Sequence, residues 1–558
     1  MSATSPGGEL NPRARGWLRF LWQKATTPDD WSSGGEPHPW WDRYSSEPVM
    51  NFARFDLSES AYAVGVMASL TPAWREVYGT ILGELARRHL TYWAAIDWLT
   101  QLGPDPRRGA YPREWIDTYI PKHLVGQYDT PGWVANGVAP WGLQPDPIGA
   151  DGNLFFKGWL NLLLTLEAHV IGHDRRTTPF QVAGVGGTSF EWTHHRLTEW
   201  LVELWKRHPA GPHCENTKVW PYCLNAAGLG LSLYDRLYGT DRHQAWAAWH
   251  AATQRDYFGI EGGKLKWVTL YYDPLAEHKQ TIGPSGGFAN ALYLMPQDPA
   301  LAELLYHGAT TRMGWNDPAQ AVRPTADPRF VALGRVLAKE FGDDVTSRRL
   351  GLYAEEHYEP RFFGTGEDDF GWWFRLNEPW PRGQLSALMM MAEVGGSGAW
   401  NRLFSAPNQG KHWEPTVEGV SFPTLGVDRA WNDLTAGVLH LRTYAADSSR
   451  RAQPTSFRVT RLADPASAHV RCDEEEHLRW RVSGENEITI DSDIGPHRFE
   501  VLGRSPERNA DSRPAAVGRA DLSVPAREAR SPGRAVTTRS TSRAMGPATL
   551  GGLACPCC

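Results

Sequence analysis

Residues 71–85, TPAWREVYGTILGEL, decide the fold class. Trp74, Val77, Tyr78, Ile81, Leu82 and Leu85 recur every three or four positions, the spacing that gathers apolar side chains on one face of an α-helix. Thr71 followed by Pro72 supplies an N-cap and a first-turn proline, so the helix is expected to open there. The same period returns over 58–69, 88–99, 154–172, 192–206, 223–237, 242–256, 286–294, 298–306, 328–340, 344–357, 382–394 and 396–404. About a dozen helices joined by Gly/Pro/Asp-rich loops result, with almost no strand pattern before residue 430. That number suits helical hairpins closed into a ring, and equally an open helical array.

Beyond Gly437 the texture changes. VLHLRTYA, SFRVTRL, HLRWRV, EITIDS and RFEVLG alternate apolar and polar residues in short runs, the pattern of a small antiparallel sheet. From Arg504 onward the chain is Arg, Ser, Ala, Pro and Gly with few apolar anchors, which predicts disorder. The expected organisation is an N-terminal arm over 1–41 with little regular structure, a helical body over 42–430, a small β-rich segment over 431–503 and a disordered tail over 504–558.

A chain of 558 residues with a formal charge of -6 has no basic excess to hold nucleic acid or an anionic membrane. Its longest apolar run, 159–171, is broken by Glu167 and His169 and reads as a buried helix, not a membrane span. Gly16 to Trp22 carries Arg19 and lacks the apolar core of a secretory signal, so a cytoplasmic location is expected. Six cysteines, three of them in the last four positions, do not make a disulfide framework. The 27 tryptophans suit an apolar cavity or a flat ligand, beyond what core filling needs.

Chemistry concentrates in HCENTKVWPYCLNAAGLGLSLYDRLYG, residues 213–239. Cys223 stands just after Pro221, at the expected start of a helix, where the dipole favours a thiolate. Pro221 prevents one continuous helix through Cys214 and Cys223, so a loop can fold the first cysteine, and Glu215 beside it, back toward the second. Two buried apolar thiols are the plainer reading of the pair. GPSGG at 283–287 fits a nucleophile-elbow pattern, but no strand leads into it and a helix-entry loop is the better reading. His194 and His195 lack the spacing of a zinc protease, and neither metal nor cofactor is expected.

The Cys-Glu pair followed nine residues on by aromatic-Pro-x-Cys resembles the cysteine segment of the linalool dehydratase/isomerase family. Asp56 and Tyr62 in RFDLSESAY are similar to that family's early Asp and Tyr. The resemblance covers most of 40–440 in order and texture, and implies an (α/α)6 barrel. It further implies a lyase or isomerase acting on a small apolar alkenol or terpenoid, without a cofactor. Cys214, Cys223, Asp56 and Tyr62 inherit catalytic roles from it, and Glu215, Phe155, Trp159 and Phe288 substrate contacts. It also implies a ring-shaped homo-oligomer in which Asp56 and Tyr62 reach a neighbouring subunit's pocket. One position departs: where the family carries a His after a Met, this chain has Phe155 and Trp159 in LFFKGWLN, which removes an imidazole able to shuttle protons.

Two rival readings remain open at this level. Glu367, Asp368, Asp369 and Glu378 among Trp372, Trp373 and Trp380 could serve a glycoside hydrolase or polysaccharide lyase on a helical toroid. Loss of the His also allows a terpenoid cyclase, or a binding protein without turnover.

Overall fold

The computed structural model describes residues 8–27, 53–90, 146–183, 189–214, 218–274, 277–323, 328–358, 382–405 and 413–503. In these, the protein is mainly helical with several small antiparallel sheets. The helices are α1 (Pro12–Thr26), α2 (Ala53–Leu70), α3 (Glu76–Arg88), α4 (Leu154–Ile171), α5 (His194–Arg207), α6 (Pro221–Tyr238) and α7 (Gln244–Tyr257). They continue with α8 (Gly287–Leu294), α9 (Pro299–Met313), α10 (Pro328–Glu340), α11 (Asp344–His357), α12 (Arg382–Val394) and α13 (Ala399–Ser405).

The even-numbered helices form the centre. α2 packs on α4, α4 on α6, α6 on α8, α8 on α10, α10 on α12, and α12 returns to α2, so their contacts make a closed circuit. Odd-numbered helices pack outside this circuit: α5 on α4, α7 on α6, α9 on α8, α11 on α10. Two glycines let α4 and α6 approach closely. A Cβ on Gly158 would stand 2.8 Å from the Ala227 Cβ, and one on Gly230 3.1 Å from the Leu162 backbone nitrogen. Among the described helices α4 alone has the length and apolarity of a membrane span, and it is 94% buried inside the protein.

Four sequence expectations change. The arm over 1–41 contains α1, whose Asn11 side chain caps Ala14 N–H at 2.9 Å ahead of Pro12. Its apolar face, including Trp17, Leu18 and Leu21, is buried in the common core, which stabilises a helix too short to persist alone. The helix expected at Thr71 begins only at Glu76, because Ala73 is drawn into the β unit: its N–H reaches Ala430 O at 3.1 Å and its C=O accepts from Val417 N at 2.7 Å. Strands also occur well before residue 430. β1 (Phe180–Ala183) pairs with β2 (Ser189–Trp192), and β3 (Phe258–Glu261), β4 (Lys264–Asp273) and β5 (His278–Ile282) form a sheet of order β3-β4-β5. Gly262 and Gly263, at φ 56° and 72°, make the tight turn between β3 and β4, a two-residue hairpin signal.

The C-terminal β unit starts earlier than expected, at β6 (Thr416–Glu418). It continues with β7 (Leu425–Asp433), β8 (Val438–Ala445), β9 (Pro454–Thr460), β10 (His469–Cys472), β11 (Glu475–Glu476), β12 (Trp480–Gly484), β13 (Glu487–Asp493) and β14 (Arg498–Leu502). A five-stranded sheet, β11-β10-β14-β8-β7, and a four-stranded one, β12-β13-β9-β6, share a core containing Phe457, Phe499, Val459 and Ile490. The unit is stitched into the helices and does not hang from them. Arg15 pairs with Asp428 at 3.2 Å, and the Glu76 carboxylate accepts the N–H groups of Gly419 and Val420 at 2.8 and 2.9 Å. The tail over 504–558 lies outside the described residues.

Candidate functional site

The inner helices meet over a buried carboxyl group that the sequence reading did not single out. Glu59 lies one turn after Asp56 and one before Tyr62 on α2, and is 1% exposed. Its Oε1 accepts from the Tyr222 hydroxyl of α6 at 3.0 Å and from Gln384 Nε2 of α12 at 3.4 Å. Tyr222 OH lies 3.4 Å from Tyr293 OH of α8, which stands 3.0 Å from Tyr62 OH and accepts from Trp159 Nε1 of α4 at 3.0 Å. Arg329, at the start of α10, is buried and lends Glu59 a positive field. Each of the six inner helices thus contributes to the cluster, α2 twice, with Glu59 and Tyr62.

Burial dominates the electrostatics. Desolvation pushes the Glu59 carboxyl up to about 8, against the hydrogen bonds of Tyr222 and Gln384 and the charge of Arg329; the Asp56 carboxylate raises it further. Glu59 is therefore mostly protonated at neutral pH, as a general acid must be. Desolvation also lifts the Tyr62 and Tyr293 phenols well above their usual range, so they remain neutral donors and acceptors. Two polar atoms here have no hydrogen-bond partner among the described residues: Glu59 Oε2 and Gln384 Oε1. One can donate when Glu59 is protonated and the other only accepts. A hydroxyl group, donor and acceptor at once, can satisfy both.

Aromatic rings surround this polar line. Trp159 meets Tyr222 edge-on at 5.2 Å between centroids, Tyr222 meets Tyr293 at 5.1 Å, and Phe55 meets Phe155 at 5.0 Å and Trp159 at 5.7 Å. Of the residues expected from sequence, Tyr62, Trp159 and Phe155 are brought together here. Phe288 is not: its ring stacks on Trp315 at 5.4 Å and lies 6.2 Å from that of Phe330. Asp56 is buried inside its own chain, with one carboxylate oxygen on Lys24 Nζ of α1 at 2.5 Å and the other accepting from Ser60 Oγ at 3.1 Å. Tyr62 likewise points into its own chain's core.

The two cysteines are placed by the same helices. Pro221 opens α6, so Cys223 sits in its first turn directly after Tyr222. Cys214 lies on the loop that receives the start of α4: Asn153 N–H donates to Cys214 O at 3.0 Å, and Cys214 N–H to Lys218 O at 2.8 Å. A bridge between Val219 and Tyr272 fixes this loop to β4. Both thiols are buried and neither forms a disulfide. Lys157, one turn into α4, is held down to about 7 by desolvation, partly offset by Asp146, Asp151 and Cys214. A cation that titrates near neutrality therefore lies within electrostatic reach of Cys214. Glu215 lies outside the described residues, as do Glu367, Asp368, Asp369 and Glu378.

Among solved structures, this chain is similar to endoglucanase CelQ from Clostridium thermocellum complexed with cellotriose, at 13% identity over 81% of this chain and 84% of that one. With a TM-score of 0.21 that similarity carries no argument for fold or chemistry. Residues 134–368 match the family model described as linalool dehydratase/isomerase. The matched span holds Phe155, Trp159, Cys214, Tyr222, Cys223 and Tyr293, and it bears out the resemblance read from the sequence: the family this chain is similar to is that of linalool dehydratase/isomerase.

Proposed function

We propose that the protein is a lyase/isomerase that dehydrates or allylically isomerises a small apolar alkenol, with Glu59 as the acid that protonates the leaving hydroxyl. The fold carried with this reading is an (α/α)6 toroid, supported by the closed circuit of inner helices within an outer set. The observation that carries the function is the 1% exposed Glu59, held protonated near neutrality by desolvation, whose Oε2 is unpartnered and whose Oε1 accepts from Gln384, itself unpartnered at Oε1. An alcohol docked there accepts from Glu59 and donates to Gln384. Proton transfer to its oxygen lets the C–O bond break and water leave, while the electron-deficient carbon skeleton faces Trp159, Phe155 and Tyr222.

Loss of a proton from the adjacent carbon completes dehydration, and return of water at the far end of the allyl system completes isomerisation. Cys223 and Cys214 are assigned to this second proton transfer, with Tyr222, Tyr293 and Tyr62 relaying protons along their hydroxyl line. Asp56, neutralised by Lys24, holds α2 in position. In this scheme Glu59 takes over the proton-transfer role that the family's His would have had at the position of Trp159. A homo-oligomer belongs to the same proposal, with Asp56 and Tyr62 serving their own subunit; light scattering on the purified chain tests it.

Incubation of the reduced protein with linalool, geraniol and short tertiary alkenols, followed by gas chromatography, tests the reaction. A diene or an interconverted alcohol is expected, lost in Glu59→Gln and in Cys223→Ala. Turnover unchanged in Glu59→Gln would remove the acid from the scheme, and no turnover of any alkenol would remove the reaction class.

A further inference from the structure

The β unit holds a second cluster of reactive side chains, independent of the reading just given. We propose that Cys472, Asp473 and His497 form a divalent-cation site of the zinc class at the edge of the five-stranded sheet. Their ligand atoms all lie within 4.8 Å of one another. Cys472 Sγ is 3.6 Å from Asp473 Oδ2, and His497 Nδ1 is 2.8 Å from the same oxygen. Ligands bound tetrahedrally to zinc at roughly 2.0–2.3 Å stand roughly 3.3–3.8 Å apart. The thiol and carboxylate already have that separation. The imidazole and carboxylate reach it by opening less than about 1 Å as the proton between them gives way to the metal.

The surroundings orient these groups as outer-shell partners do in zinc sites. His497 Nε2 lies 3.3 Å from Asp493 Oδ2, so a carboxylate fixes the ring nitrogen opposite the ligating one. Asp473 Oδ1 accepts the Arg498 N–H at 2.9 Å, which leaves Oδ2 turned toward the thiol and the imidazole. Asp473 and Glu474 form the two-residue connection between β10 and β11, both at positive φ, 51° and 72°. Asp tolerates that conformation well and Glu less so, which suits Asp473 to the first position of the turn directly after Cys472. The nearest basic side chain on the strand, Arg471, is occupied by Glu500 and the Glu474 carbonyl. Exposed Glu475 and Glu476 add negative charge around the cluster.

Binding would replace the thiol proton of Cys472 and the Nδ1 proton of His497, release them to solvent, and leave a fourth position for water, with no change of oxidation state. The sequence reading expects no metal and does not single out these residues: residue 497 lies 24 positions from its nearest neighbour in the cluster along the chain, and only the pairing of β10 with β14 joins them.

The test uses the full chain with Cys555, Cys557 and Cys558 replaced by Ser, which keeps the tail thiols out of the measurement. After chelator treatment the protein is titrated with cobalt(II) and then zinc. One equivalent of cobalt is expected, with a thiolate charge-transfer band and tetrahedral ligand-field absorption, both erased by zinc. Cys472→Ser should abolish the charge-transfer band. His497→Ala and His497→Gln should weaken binding at least about 100-fold, and Asp493→Asn about 10- to 100-fold. All four side chains are partly solvent-accessible, and far-UV circular dichroism checks that each variant folds. No tetrahedral cobalt spectrum in the parent, or a charge-transfer band that survives Cys472→Ser, would overturn the proposal.

Discussion

At the level of single residues, Glu59 shows what decides a group's chemistry. It lies between Asp56 and Tyr62 in a motif that gives no sign of its state, and burial among α2, α6 and α12, more than any single neighbour, makes it an acid at neutral pH. That gives a stability signature with a fixed sign. The folded group holds its proton up to about 8, whereas the unfolded one loses it near 4.5, so the folded state binds more protons between these values. Stability contributed by the neutral form is complete below pH 4.5 and is lost as pH rises through 8. The melting temperature of the native protein should therefore fall from pH 5 to pH 8 more steeply than that of Glu59→Gln, followed by calorimetry. Parallel curves would show that Glu59 is already ionised. Trp159→Phe keeps the apolar wall but removes the N–H that Tyr293 accepts; a loss of about 0.5–1.5 kcal/mol in denaturant melts is expected, with a larger effect on kcat than on KM.

Among the elements, α1 and the α4–α6 pair are the most demanding. Lys24 and Asp56 are 2% and 0% exposed, so removing Lys24 leaves the Asp56 carboxylate buried without this ion pair. Lys24→Met should cost about 3–5 kcal/mol in chemical denaturation, and Lys24→Met with Asp56→Asn should recover most of it. An additive double variant would mean that the pair is not coupled. At the α4–α6 crossing, Gly158→Val should destabilise by at least about 1–3 kcal/mol, because Ala227 occupies the space its side chain would need. The helices themselves were readable from apolar period, and most boundaries fall within a few residues of expectation. The misses have local causes. In 12–26 the Asn11-Pro12 start signal was present but was outweighed by the surrounding Pro, Gly and charge. At 71–75 the start signal was overridden by a tertiary pairing through Ala73 that no local pattern announces. In 258–273 the Gly262-Gly263 turn was the available clue to strands inside a helical body.

Across the whole molecule, the helical body and β unit share Arg15–Asp428, Glu76 to Gly419 and Val420, and the Ala73 pairings. Glu59, Tyr222, Tyr293 and Gln384 stayed hidden in the sequence for a related reason. They lie on four helices spread over more than half of the chain, and only the closing of α12 onto α2 brings Gln384 to Glu59. Tyr62 was named from a short motif and Trp159 as a departure from one, and the structure brings both beside Tyr293; Phe288, also named from a motif, turns toward Trp315. The most direct test of the central claim is the pH dependence of alkenol turnover in the native protein and in Glu59→Gln. In the native protein the rate should be lost as pH rises through about 8, and the variant should turn over at least about 100-fold more slowly without that limb. Equal rates with the same pH profile would contradict it.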